Sequence, residues 1–372
     1  MHQHLLFSVR RILIVKTSSL GDIIQSFVVL NYLKEKFPDA EIDWVAEKRF
    51  APIVAAHPLV SHVIAFDKKM LGDLGLAARK LRRFTYDCVF DLQGNCKSAV
   101  ATMLSKGRYK VGFGIHSVRE WPNILATKFR YEVSSTLNIR LQLISLVQQF
   151  LKDDAPMPQY GFEGVRFKIS EEDQAQIDRL FASLAVKRKE KIMVCPGSKW
   201  INKQLTKETL AAFLAQIDRS LDASFFLMWG DENERALCVA LQRQFSGNCL
   251  VVERLELPVW QNLMNEMSVV IAFDSGALHL CGTTSAPSFS LFGPTMPEIF
   301  KPIGSRHFAM RGECPYLKSF EKQCPLLRTC STGACIRKLE ADAIFNRFWS
   351  WWQTIGPQSR CASPQARLLR AP

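Results

Sequence analysis

Residues 14–24 read IVKTSSLGDII. The preceding RILIV, residues 11–15, is β-branched and short enough for a buried strand, whereas IIQSFVVLNYLKEKF, residues 23–37, places apolar residues at helical spacing. The segment therefore reads strand, tight turn, helix. In an open parallel sheet, ligands bind beyond the carboxyl ends of the strands, where the free amides of the following helix also point. A carboxylate at this turn, Asp22, then has two readings: it caps the helix by taking up an unpaired N–H, or it faces a bound ligand.

The same grammar recurs along the chain. YDCVFDLQGN, residues 86–95, is a buried strand ending in a polar, glycine-bearing turn, and KSAVATMLSK, 97–106, starts the next helix. Strands are expected at 41–45, 60–66 and 110–113, with a basic amphipathic helix over 71–84 and a helix over 137–151. His116, Arg119 and Glu120 fall between them. The charged, proline-containing KDDAPMP, 152–158, reads as a linker. Beyond it the rhythm restarts: strands at 191–194, 223–228, 249–252, 269–273 and 288–292 alternate with helices at 207–221, 234–245 and 259–267. Four of these strands end in small or polar turns, PGSK, WGDE, DSGALH and GPT. The expected architecture is α/β, two Rossmann-like, doubly wound parallel-sheet domains facing across a cleft. The expected domains are residues 1–155 and 156–340, with a helix at 341–354 packing back on the first domain and a disordered tail over 355–372.

Length and composition agree with two globular domains: 372 residues, 48% hydrophobic and 22% charged. A formal charge of +13 favours polyanionic partners, whether nucleic acid, anionic lipid or a phosphorylated substrate. The densest clusters, RKLRR at 79–83 and KRK at 187–189, also fit solvated helix faces. The aromatic residues sit inside apolar periodic runs rather than among the lysines, which argues against nucleic acid. No uncharged apolar run is long enough to span a membrane and the N-terminus has no small-residue cleavage site, so a cytoplasmic protein resting on a membrane surface is expected. The run FNRFWSWW, 345–352, suits either lipid or a helix burying Phe345, Phe348, Trp349 and Trp352. Of eleven cysteines, Cys88, Cys195 and Cys281 read as reduced core thiols in apolar strands. Cys314, Cys324, Cys330 and Cys335 lack paired zinc-knuckle spacing, leaving loop packing ahead of thiol pairing and of zinc.

The second half is the better place for a nucleotide. Backbone amides beside Ser275, Gly276 and Ala277 can hold a diphosphate, Lys203 is a mobile cation for it, and His279 adds a hydrogen bond or is simply buried. Glu232 or Glu234 suits a ribose hydroxyl pair. Neither a GxGxxG nor a GxxxxGK[ST] pattern stands at these turns. With a diphosphate in one half and an acid in the other, the economical chemistry is group transfer. Lys203 and the amides stabilise the leaving charge while Asp22 deprotonates the attacking hydroxyl. No Asp-x-Asp clamp stands beside these turns, so no obligatory metal is expected.

KTSSLGDI, DLQGNCKSA, DSGALHL and LFGPT, in this order and spacing, resemble the ADP-heptose:lipopolysaccharide heptosyltransferases, glycosyltransferase family 9, over residues 11–340. The resemblance implies the GT-B fold and inverting transfer of heptose from ADP-heptose to the inner core of lipopolysaccharide, on Kdo-lipid A or a heptosyl acceptor. It makes Asp22 the general base. It also gives Lys203, Asp274, Ser275, Gly276 and His279 to the donor diphosphate, with Gly293, Pro294 and Thr295 lining the same pocket. Ser18, Ser19, Gly21, Gln93, Gly94, Lys97 and Glu232 complete the substrate-binding candidates. The implied partners are the nucleotide sugar, the lipid A acceptor and the inner-membrane surface, with no cofactor beyond the donor. WIN stands inserted before Lys203, and the family's tryptophan after the lysine is absent, so Lys199 and Lys203 both remain candidates. A transferase for another nucleotide sugar, and a non-catalytic nucleotide- or polyanion-binding protein, are the alternatives.

Overall fold

The computed structural model describes residues 9–66, 74–156, 164–183, 187–245 and 247–355. The chain divides into two compact units, 1–160 and 161–372.

In the first unit six strands, β1 (Arg11–Val15), β2 (Glu41–Glu47), β3 (His62–Phe66), β4 (Thr85–Asp91), β5 (Lys106–Phe113) and β6 (Phe129–Tyr131), form one sheet in the order β3-β2-β1-β4-β5-β6. Every pairing is parallel. A strand covered on both faces has no polar side, which is why β1 is apolar throughout its buried stretch Ile12, Leu13, Ile14 and Val15. The crossovers carry α1 (Leu20–Ser26), α2 (Val28–Lys36), α3 (Ala51–Ala56), α4 (Leu74–Leu81) and α5 (Cys96–Leu104), and α6 (Ile139–Leu151) follows the last strand. The single helix expected over 23–37 is two. The Ser26 hydroxyl donates back to the Asp22 carbonyl at 2.6 Å and the Phe27 amide bonds Ile24 instead of Ile23, bending the axis at Phe27. Residues 71–73 of the expected basic helix, and 157–158 of the expected linker, lie outside the described residues.

The second unit repeats the plan. β7 (Glu190–Cys195), β8 (Ala223–Leu227), β9 (Cys249–Val251), β10 (Val269–Phe273), β11 (Ser288–Phe292) and β12 (His307–Arg311) stand in the order β12-β11-β10-β7-β8-β9, all parallel. Counting strands within each unit, both sheets have the order 3-2-1-4-5-6, the Rossmann order, with its reversal between the first and fourth strands. The helices are α7 (Glu171–Ala182), α8 (Lys207–Ser220), α9 (Glu232–Gln242), α10 (Leu257–Asn265), α11 (Gly276–Cys281), α12 (Pro297–Phe300), α13 (Ala334–Arg337) and α14 (Ala341–Thr354). Cys281 therefore lies in a helix, not in a strand.

The C-terminal helix, expected against the first domain, buries Ile344, Phe348, Trp351 and Trp352 of α14 in the core of the second unit. Phe348 lies 5.8 Å from the Phe213 ring of α8 and 5.3 Å from the Phe289 ring of β11, both edge-on. Phe345 and Trp349 pack against the same cluster, so the whole aromatic run serves the core. The reason is proximity: β12 is the edge strand of this sheet, and α14, which follows it in the chain, lies against both β12 and α8. Residues 356–372, the expected disordered tail, lie outside the described residues. No described helix is long and apolar enough to cross a membrane.

Phe348→Ala is expected to destabilise the second unit by about 3–5 kcal/mol, the usual cost of emptying a large aromatic site. Urea unfolding with hydrogen exchange would read it, and loss of protection confined to the first unit would contradict the placement.

Candidate functional site

In the first unit the reversal point lies between β1 and β4, and their following turns are tied together. The Gln93 side-chain oxygen accepts the Thr17 amide at 3.1 Å and the Ser18 amide at 3.2 Å. Lys16, buried, donates its ammonium to the Leu92 carbonyl at 2.7 Å. Beneath them Asp91, 0% exposed, accepts the Gln93 and Gly94 amides, each at 3.0 Å, the Thr102 hydroxyl at 3.2 Å and the Asn123 amide at 2.7 Å. Gly94 has φ +70°, and a Cβ there would sit 3.2 Å from the Phe113 ring, so the turn needs glycine.

Asp22 stands in the first turn of α1. Its Oδ2 accepts the Ser19 amide at 3.0 Å, one arm of a capping box, and also the Ser19 hydroxyl at 3.1 Å. Its Oδ1 makes no hydrogen bond among the described residues, and the side chain is half-buried. One oxygen therefore caps the helix and leaves the other open. Ser18, Ser19 and Gly21 form the same turn. Gln93 acts as a clamp within the protein. Lys97, 57% exposed, reaches Glu47 at the end of β2, 3.6 Å away, so the ends of β1, β2 and β4 are all brought to one sheet edge.

In the second unit the reversal point lies between β7 and β10, and here a charged knot forms. Asp274, the residue after β10, is buried; its Oδ2 receives the Lys203 ammonium at 2.5 Å and the Thr295 hydroxyl at 2.7 Å, and His279 Nε2 lies 3.9 Å from its Oδ1. Burial by itself would raise the pKa of Asp274, but the adjacent Lys203 and His279 and the donated hydrogen bonds outweigh it, holding the carboxyl below its ordinary 3.8. Lys203 is thus not the mobile cation expected. It is 12% exposed and fixed by its turn, Ile201–Lys203, whose Asn202 donates to the Leu327 carbonyl at 2.7 Å and the Cys330 carbonyl at 3.3 Å. Lys199, by contrast, is exposed, with its ammonium 5.6 Å from the Trp200 ring centre. Of the two lysines, Lys203 is the one at the reversal point.

Around this knot Ser275 is the N-cap residue of α11, its hydroxyl buried with no hydrogen-bond partner, and the first amides from Gly276 onward have no intrahelical acceptor. Gly293, Pro294 and Thr295 follow β11. A Cβ on Gly293 would approach Cys335 Sγ to 2.9 Å, and the Pro294 carbonyl accepts the Cys324 amide at 2.7 Å. The cysteine-bearing loop therefore braces both the Lys203 turn and the GPT turn. Its four cysteines are free thiols, and among the described residues no cluster of three or more His, Cys, Asp or Glu is placed to hold a metal.

Glu232 departs from expectation: its side chain is 80% exposed and, among the described residues, pairs with Arg235, 3.7 Å away on its own helix. Glu234 points to the reversal point instead, accepting the Gly230 amide at 2.6 Å, with its carboxyl packed on Gly197 after β7. Burial raises its pKa. The helix phase decides this, because Asp231 caps α9 and only the third residue beyond a cap turns back over the preceding loop. The clamps made by Asn123 and Asn202 carry no local sequence signal.

Among known proteins, residues 76–329 match the model of glycosyltransferase family 9 (heptosyltransferase). A lipopolysaccharide heptosyltransferase 1 of Pseudomonas aeruginosa is 29% identical over 331 residues, 84% of this chain and 87% of that protein. One of Campylobacter coli is 28% identical over 77% of this chain and 84% of its own length. Of solved structures, E. coli heptosyltransferase WaaC with ADP superposes with a TM-score of 0.70 at 21% identity, covering 92% of this chain and 99% of that one. E. coli ADP-heptose lps heptosyltransferase II gives 0.70 at 17% identity, with the same coverages. The fold they share with this chain is GT-B.

Because the Asp274 carboxyl is held below 3.8, its pairing supports stability above that pH and the support is lost as pH falls through the lower folded value. Asp274→Asn should lack this acid limb in urea unfolding measured against pH. Lys203→Met, which strands the buried carboxylate, should cost about 3–5 kcal/mol at neutral pH, most of it recovered in the double variant.

Proposed function

The chain belongs to glycosyltransferase family 9, the heptosyltransferases, and is a glycosyltransferase; from that premise we propose that it moves heptose from ADP-heptose to the inner core of lipopolysaccharide, on Kdo-lipid A or a heptosyl acceptor, with inversion. The relatives named as lipopolysaccharide heptosyltransferases, and the related WaaC structure with ADP-2-deoxy-2-fluoro heptose, support the donor and acceptor classes. The observation that carries the reading is the Asp22 carboxyl, anchored through Oδ2 while Oδ1 is open.

In this reading Asp22 takes the proton from the acceptor hydroxyl as that oxygen bonds to the anomeric carbon. The bond from that carbon to the diphosphate breaks, and ADP leaves with the electron pair. Lys203, the amides from Gly276 onward and the Ser275 hydroxyl meet the charge that develops on the diphosphate. Asp274 and Thr295 orient Lys203, and His279 backs them. Glu234 replaces Glu232 as the carboxylate for the ribose hydroxyls. The site of action is the cytoplasmic face of the inner membrane, supported by the lipid nature of the acceptor and the charge of +13.

Asp22→Asn keeps the capping geometry but removes the base, so transfer should fall by about 10²–10⁴-fold with ADP affinity unchanged. Full turnover in that variant would remove Asp22 from the mechanism. Calorimetry should rank ADP above UDP and GDP, and Lys203→Ala should weaken ADP by roughly tenfold or more, about 1.4 kcal/mol. Weakening only with Lys199→Ala would move the diphosphate away from the reversal point.

A further inference from the structure

Among the described residues of the first unit, the large apolar side chains left in solvent are Met103, Ile115, Trp121 and Leu125, at 49, 58, 66 and 74% exposure. They are not scattered. Three come from residues 114–128, which cross from β5 to β6, and the fourth lies on α5, against which the short helical turn Trp121–Ala126 packs. That turn is rigidly held. Asn123, 0% exposed, donates to the Asp91 carboxylate at 2.7 Å, the Asn95 carbonyl at 3.0 Å and the Ser98 hydroxyl at 3.1 Å. With Asn123 locked inward, Trp121 and Leu125, two residues to either side, are presented outward. Exposing them gains nothing for the isolated chain, and an apolar cluster on a pinned turn marks a contact surface.

The surroundings identify the contact. Arg119 lies two residues before the Trp121–Ala126 turn, Lys128 and Arg130 lie after it, and Lys97 stands in the first turn of α5; all four are exposed. The nearby acids are engaged within the protein: Glu120 accepts the Cys96 amide at 2.8 Å, and Glu132 accepts the Ser117 hydroxyl at 2.7 Å and the His116 amide at 3.2 Å. Lys97 also pairs with Glu47, 3.6 Å away, but Arg119, Lys128 and Arg130 stand in solvent beside the apolar residues. A tryptophan and a leucine flanked by such exposed cations are complementary to the headgroup layer of an anionic bilayer, where indole sits at the interface and lysine and arginine hold phosphates.

We propose that this ledge docks the first unit on an anionic phospholipid surface, Trp121 and Leu125 entering the interfacial layer while Lys97, Arg119, Lys128 and Arg130 engage headgroups. The proposal rests on the reading of the acceptor as lipid-anchored, since the ledge abuts the Gly94 turn: the Arg119 amide nitrogen is 3.4 Å from where a Gly94 Cβ would stand.

The test is co-flotation of the full chain with vesicles of phosphatidylglycerol and phosphatidylethanolamine, and with vesicles of phosphatidylcholine alone. The wild type should float with the anionic vesicles and be released by salt. Trp121→Ser with Leu125→Ser should partition about tenfold less, Leu125→Ser alone should fall between, and both should transfer heptose to a deacylated, water-soluble inner-core acceptor at the wild-type rate. Equal flotation of variant and wild type, no flotation of the wild type, or a variant effect on self-association alone by sedimentation would each overturn the ledge. Absence of transfer to the soluble acceptor by the wild type would instead overturn the assigned reaction, leaving the flotation result to decide the surface.

Discussion

Each half of the molecule is organised by one buried carboxylate at the carboxyl end of its fourth strand. Asp91 closes β4 and Asp274 follows β10, equivalent positions in two sheets of identical order. A charge so placed is stable only when every lone pair is met, and each aspartate gathers its donors from separate stretches of chain. Asp91 draws in the Gln93–Gly94 amides, α5 through Thr102 and the 121–126 turn through Asn123. Asp274 draws in the Lys203 turn, the GPT turn and His279. The carboxylates thus do for the loops what the parallel ladder does for the strands. They differ in what supplies the hydrogens: neutral amides and a hydroxyl in the first unit, an ammonium and a hydroxyl in the second. In the first unit the carboxylate is solvated by dipoles alone; in the second it is paired with a cation.

Much of this was legible in the chain because parallel strands buried on both faces are short apolar runs, and their polar turns stand out against them. β1, β4, β7, β10 and β11, the strands at and beside the reversal points, carry that signature most strongly. The elements that went unread lack it. β6 is three residues long with an exposed centre, and β12 is half-buried beyond its first residue, His307, so neither gives a continuous apolar run. α7 buries only Ile177, although its capping pair, Ser170 and Asp173, was a usable start signal. The placement of α14 was not readable at all, because its amphipathic pattern states that one face is covered but not by which core.

The site divides in the same way. Turn chemistry predicted where Asp22, Gly94, Asp274 and Thr295 would lie, since each is fixed by its own local backbone. The direction of a long side chain is another matter. Lys203 points to Asp274 because Asn202 beside it is bonded to carbonyls more than a hundred residues away, and Glu232 points to water because it opens α9, two residues before the carboxylate that turns inward. Long-range bracing and helix phase decide such directions, and neither is written in a short motif.

The lysine at the second reversal point already has a resident counter-ion. An anion arriving there gains only the difference between two pairings, so tight capture is traded for ready dissociation. When the visitor leaves, the ammonium returns to a neighbour 2.5 Å away and not to bulk water. In the proposed transfer such a lysine would work as a spring-loaded catch, meeting a diphosphate for the length of one exchange and letting the spent nucleotide go, which favours repeated cycles over retention.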